Sequence, residues 1–247
     1  MSAHFVLLFH PHTLEKPVPS IRREDDYLII TLHDEGKFQP ETYDKVKALL
    51  DEAEADESAK ALIIEGQGKN FSQGYDLAWF QANDPQGFSA FTAKSMLIIK
   101  QILSFPIPTV AAVNGHAFGF GAFLVLASDY SVQRLGVGFF CLPEVNIGLP
   151  FAPSMNELAR TKLPNRQVIR DAMYTGKRYP AEESAALGIV DATAEGDDLI
   201  AAAKALAEPA VGRERRNLSV IKTAVNKEII AEIDRSQDEP TDLAMPG

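Results

Sequence analysis

The sequence predicts an α/β protein, and three stretches carry that expectation. A β-branched run, Val110 to Val113, reads as a buried strand; Asn114-Gly115 breaks it, and Gly119 and Gly121 open an apolar helix ending near Ala127. A second strand-like run, Ala61 to Ile64, leads into a loop with its own glycine, Gly74. A third stretch, Pro143 to Pro150, places the carboxylate of Glu144 just before a turn. Where a strand feeds a helix through glycines, the first helical N–H groups have no internal partner and the helix dipole is positive. The missing Cβ atoms let a ligand oxygen come close to the backbone. Such a junction can stabilise an oxyanion, or it can do no more than connect two layers, as glycine turns do in any α/β protein.

Taken in order, residues 1–20 carry Pro11, Pro17 and Pro19 with His4, His10 and His12, a composition that reads as a surface arm rather than a metal site. Tyr27 to Leu32 alternates as a strand. Glu41 to Ala55 reads as an amphipathic helix with Val46, Leu49, Leu50 and Ala53 on one side. A helix over about Gln86 to Leu103 places Phe88, Phe91 and Ile98 at core spacing, with lining an acyl pocket as the alternative. Asp129 closes the central helix and opens a strand through Gln133, and Gly138 to Cys141 is a short extended piece. Helices follow over Pro153 to Lys162, Arg166 to Tyr174, Leu199 to Ala207 and Arg213 to Glu232. From Asp234 the chain is acidic with prolines and reads as disordered.

Composition narrows the function. At 247 residues the chain can build one sizeable core without a second domain. A net charge of −10 argues against nucleic acid or an anionic membrane as partner, since both call for a positive surface. With Cys141 alone there can be no internal disulfide, which suits a reducing cytoplasm; it reads as a buried filler rather than a nucleophile. No apolar run reaches the ~20 residues of a membrane span. Met1 to Phe9 lacks the basic start of a signal peptide, and the final residues are not a peroxisomal address.

Three ordered motifs carry a resemblance. Phe71-Ser72-Gln73-Gly74-Tyr75-Asp76 fits F-S-x-G-x-D, and Pro108 to Gly121 fits P-x-x-A-A-V-N-G-x-A-x-G-x-G. Pro143 to Gly148 fits P-E-x-x-x-G, and Ala181 to Val190 adds a lesser signal. Over roughly residues 21 to 225 the chain resembles the crotonase (enoyl-CoA hydratase/isomerase) family, and within it the Δ3,Δ2-enoyl-CoA isomerases. The resemblance implies a ββα spiral over residues 21–195, then a C-terminal helical region over 196–235 that helps to form a homotrimer or a dimer of trimers, and a disordered tail over 236–247. It implies an acyl-CoA thioester substrate and no cofactor beyond the coenzyme A it carries, with no metal.

By motif, the thioester oxygen is held by the backbone N–H groups of Tyr75 and Phe120. Gly74, Asp76, Gly119, Gly121, Phe123 and Leu149 surround the substrate, the Asp76 and Asp129 carboxylates having structural roles. Each N–H would contribute about 3 kcal/mol to an enolate-like transition state. Hydratases of the family carry two glutamates; here Phe123 stands at the first position and Glu144 at the second. A phenyl ring cannot carry a proton, so one carboxylate is left as the proton shuttle of an isomerase. Another acyl-CoA reaction, hydration or C–C cleavage, and a non-catalytic acyl-CoA-binding trimer are the alternatives. Glu157 could be a second acid but reads as solvent-facing. Ala78 and Trp79 stand where many family members have a CoA-side lysine. The CoA phosphates need a local basic cluster against the overall charge, for which Arg213, Arg215, Arg216, Lys222 and Lys227 are candidates, a solvated helix face being the favoured alternative for each.

Overall fold

The computed structural model describes residues 18–239, 241 and 243. The histidines of the N-terminal arm therefore lie outside the described residues. Strands β1 (Ser20–Glu24) and β2 (Tyr27–Leu32) form an antiparallel hairpin turned at Asp25-Asp26. Next come β3 (Lys37–Phe38) and helix α1 (Pro40–Ala55), which starts at a proline and buries Val46, Leu49, Leu50 and Ala53 as its spacing predicts. The first loop region comprises β4 (Ala61–Gly66), β5 (Asn70–Ser72), β6 (Gly74–Tyr75), α2 (Leu77–Asn83) and α3 (Phe88–Leu103). The second comprises β7 (Thr109–Val113), β8 (His116–Phe118) and α4 (Phe120–Ala127). Strands β9 (Tyr130–Arg134) and β10 (Phe140–Cys141) lead to a 3-10 turn at Glu144–Ile147. The remainder is α5 (Pro153–Lys162), α6 (Arg166–Thr175), α7 (Ala181–Leu187), β11 (Ala192–Ala194), α8 (Leu199–Ala207), α9 (Arg215–Val225) and α10 (Lys227–Asp238).

The strands sort by turn of the chain. β4, β7 and β9 enter one six-stranded sheet of order β1-β2-β4-β7-β9-β11, while their successors β5, β8 and β10 enter a second of order β10-β8-β5. Each pair of strands followed by a helix is one turn of a ββα spiral, the fold that the sequence implied. Apart from the β1–β2 hairpin the pairings are parallel, as helix-length crossovers require. Alternation divides the large sheet between two cores. Leu28, Ile30, Leu62, Ile64, Ala111 and Val113 face the main core with α3 and α4. Ile29, Ile63, Val110, Ala112 and Val132 face α8 through Leu199, Ala203 and Ala207. Each fully buried Ile or Leu contributes roughly 1.5–3 kcal/mol.

Two expectations change. The helix expected over Arg213 to Glu232 is two helices parted at Asn226, whose side-chain amide donates to Leu103 O at 3.0 Å and Lys222 O at 2.9 Å. A side chain that ties itself to a neighbouring helix takes the chain out of register there. The tail expected to be disordered from Asp234, placed at 236–247, is ordered at the described residues: α10 runs to Asp238, Leu243 is buried, and the Ser89 hydroxyl donates to Thr241 O. No helix among the described residues is long and apolar enough to cross a membrane.

Candidate active site

Three loops meet at the ends of parallel strands. The first turns at Gly74, whose φ of +79° only glycine adopts readily. Gly74 N–H donates to Ser72 Oγ at 3.1 Å, and Ser72 Oγ donates to Gly36 O at 2.5 Å, so the loop is held from beneath. Asp76 N–H donates to Phe38 O at 2.9 Å. Backbone donors alternate along a strand, so the N–H of Tyr75 points away from β3. Asp76 caps α2, its carboxylate accepting from Trp79 N–H at 3.0 Å, which is the structural role expected of it.

The second loop turns at Gly119, with φ +53° and ψ −121°. The N–H groups of Phe120 and Gly121 sit at the first two positions of α4, where the helix supplies no acceptor of its own. The loops are in contact: a Cβ on Gly74 would stand 2.8 Å from Phe118 O and 3.1 Å from Phe120 N, and one on Gly121 would stand 2.6 Å from Ser72. The ring of Phe120 is buried against Phe38, centroids 4.8 Å apart, and stacks on Tyr75.

The third loop carries Glu144. Gly119 N–H donates to Cys141 O at 3.1 Å, which ties the second loop to β10 just ahead of it. Glu144 opens the 3-10 turn, Leu149 N–H donates to its carbonyl at 3.0 Å, and Asn146 Nδ2 reaches Thr175 O at 3.3 Å. The carboxyl is 6% exposed, and its Oε2 has no hydrogen-bond partner among the described residues. Burial pushes its pKa up to about 7, because the charged form loses water without gaining a cation. Burial also raises the Tyr75 phenol well above its usual range, with the Glu144 charge adding to the effect.

Phe123 is wholly buried, with its ring edge-on to Phe151 at 6.0 Å, and Leu149 is buried as well. Glu157 is paired with Arg160 at 2.7 Å, which holds it below the usual carboxylate range. Cys141 is buried, donates to Gly176 O at 3.3 Å, and is pushed up to about 11 by burial, which suits a filler. Asp129 accepts from Thr109 N–H at 2.8 Å and Lys222 Nζ at 2.7 Å. Lys222 is thus 7% exposed and committed to Asp129, so its place among the solvent-facing CoA candidates is corrected. Arg215 spends its guanidinium on Ala59 O and Glu54 O. Sequence reasoning missed Ser72, Ser95 and Phe38, which hold the loops; nothing in the sequence marks two-residue strands or a hydroxyl 20 residues away as partners of Tyr75.

A ββα spiral that closes glycine loops over one buried carboxyl defines an enzyme of the crotonase type. The enoyl-CoA hydratase/isomerase family pattern matches residues 24–239, and the chain belongs to that family. It is 32% identical over 230 residues to enoyl-CoA delta isomerase 3 of Arabidopsis thaliana, covering 89% of this chain and 94% of that one. It is 32% identical over 183 residues to the peroxisomal enoyl-CoA delta isomerase 2 of the same plant, covering 71% and 76%. Among solved structures, the probable enoyl-CoA hydratase EchA3 of Mycobacterium tuberculosis H37Rv superposes with a TM-score of 0.82 at 25% identity, covering 90% of this chain and 94% of that one.

Proposed function

We propose that the chain is a Δ3,Δ2-enoyl-CoA isomerase with Glu144 as its single proton shuttle. The observation that carries this reading is the buried Glu144 carboxyl, pKa about 7, with Phe123 rather than an acid on α4. The Glu144 carboxylate removes a proton from C2 of a 3-enoyl thioester. The electron pair spreads over the dienolate, and the thioester oxygen takes up charge between the N–H groups of Tyr75 and Phe120. The protonated Glu144 then delivers the proton to C4, the electrons return, and the double bond stands between C2 and C3. A site that excludes water raises the base towards neutrality and suppresses hydration.

Incubation with trans-3-hexenoyl-CoA, followed by ultraviolet absorbance of the conjugated 2-enoyl thioester, tests the reading, with 2-hexenoyl-CoA in parallel. Conjugation without hydration supports it; silence with both sinks it. Hydratase chemistry is the second reading, favoured by the name of the mycobacterial structure. It calls for loss of absorbance from 2-hexenoyl-CoA and for a gain in that rate in Phe123→Glu.

A homotrimer or dimer of trimers belongs to the same proposal, supported by the exposed Val220, Ile221 and Val225 of α9, and sedimentation velocity checks it. The CoA phosphates fall to Arg213, Arg216 and Lys227, and the cell compartment to the cytoplasm, which fractionation checks.

A further inference from the structure

Tyr75 and Phe120 follow the two loop glycines, and their side chains meet. The rings lie 5.1 Å apart with planes 21° from parallel. Each ring is held from a different part of the fold. Phe120 stands edge-on to Phe38 at 4.8 Å, and β3 to which Phe38 belongs is paired with β6. Tyr75 is packed edge-on by Phe88 and Phe91 of α3, at 5.6 and 5.8 Å. Its phenol is 2.7 Å from Ser95 Oγ, also on α3. Ser95 Oγ donates its one proton to Thr92 O at 2.8 Å, so the phenol donates to Ser95. With its proton committed and its pKa raised, the phenol anchors the ring and takes no part in proton transfer.

We propose that this stack is a positioning device: by locking the two side chains together it fixes the separation and aim of the main-chain N–H groups of the same two residues. The idea rests on the oxyanion reading above. A backbone contact alone joins the loops loosely, because Gly74 and Gly119 flank the donors and glycine adds no stiffness. The rings supply that stiffness, and offset aromatic pairs hold a preferred geometry. Tyr75 and Phe120 therefore act twice, through the peptide on the thioester oxygen and through the ring on each other.

The test is the infrared carbonyl band of hexanoyl-CoA labelled with carbon-13 at C1, a saturated ligand that cannot react. Wild-type protein lowers the band relative to free ligand; no shift in wild type sinks the oxyanion reading itself. Phe120→Leu and Tyr75→Leu lose most of the shift, and kcat on 3-hexenoyl-CoA falls about tenfold to a hundredfold with KM held within about twofold. Tyr75→Phe, which keeps the ring, recovers most of both. The double leucine variant is no worse than either single one, since the stack breaks once. A wild-type band shift in the leucine variants, losses that appear in KM, or losses that add would overturn the proposal. Should the leucine variants fail to fold, Phe120→Met removes the ring stack at similar side-chain volume and is read in their place; an unchanged band in it overturns the proposal equally.

Discussion

A Cβ placed on Gly119 would stand 3.2 Å from Oε1 of Glu144, so the turn into α4 and the buried carboxyl touch with no side chain between them. At a φ of +53° an alanine is also strained. With ψ at −121° the position lies outside the left-handed helical well, and Gly119→Ala is expected to cost about 1–3 kcal/mol from that strain, or roughly 2–12 °C in Tm for a chain of this size. Turnover falls further than stability, because the new methyl displaces the carboxyl. Calorimetry and the 3-hexenoyl-CoA assay read the two effects, and an unchanged rate would show that Glu144 does not need its place beside this turn.

The raised pKa of Glu144 has a stability consequence with a definite sign. Its folded value, about 7, lies above the ordinary 4.5, so between these the native state holds a proton that the unfolded chain has lost. Stability therefore falls as pH rises from about 4.5 to 7 and the loss is complete above, about 3 kcal/mol in all. Glu144→Gln removes this dependence. Unfolding free energies of both proteins at pH 5 and pH 8 should converge at the acidic end, with the variant more stable at the basic end.

The same group sets the pH profile of the reaction. A base must be ionised, so kcat/KM on 3-hexenoyl-CoA rises with pH and levels off above about 7, with no descending limb because no second acid takes part. Glu144→Gln lowers turnover by about 10²–10⁴-fold. A bell-shaped profile would mean that another titrating group works with it.

The proton removed from C2 has few routes out, since Glu144 Oε2 has no partner among the described residues. In heavy water, under single-turnover conditions, less than about half of the product is expected to carry deuterium at C4, as a water-excluding site retains its proton. Mass spectrometry counts it, and complete labelling would require exchange with solvent before the proton is returned.

Lys222 is the buried side chain of α9, and it meets Asp129 at the C-terminal end of α4. Lys222→Met leaves a half-buried carboxylate with Thr109 as its remaining donor, at a cost of about 2–3 kcal/mol, below that of a fully buried pair. The helix should loosen first, so trypsin cuts within α9 before the body of the protein. Equal cutting rates in the two proteins would mean that the apolar contacts of α10 hold α9 unaided.

Much of this arrangement was legible before any coordinates. Val110 to Val113 reads as a buried strand and the glycines behind it as a turn, and the family resemblance of the P-E-x-x-x-G stretch points to Glu144. The helix at Leu77–Asn83 went unread although Asp76 is an ordinary cap, because the preceding glycine loop drew the whole segment into itself. β3 and β6 are two residues each, too short for any periodicity. The burial of Lys222 depends on Asp129, 93 residues earlier, and charge patterns say nothing about partners at that distance. The direction of the Phe120 ring was likewise decided by Phe38.

The proposed donors of Tyr75 and Phe120 belong to the peptide chain and not to side chains. Replacing either residue with alanine would leave its N–H on the chain, so such a survey would read the loss of a ring and its aim but never the removal of the charge-stabilising atom itself. Exchanging the amide for an ester at position 75 or 120 is the chemical edit that reaches them.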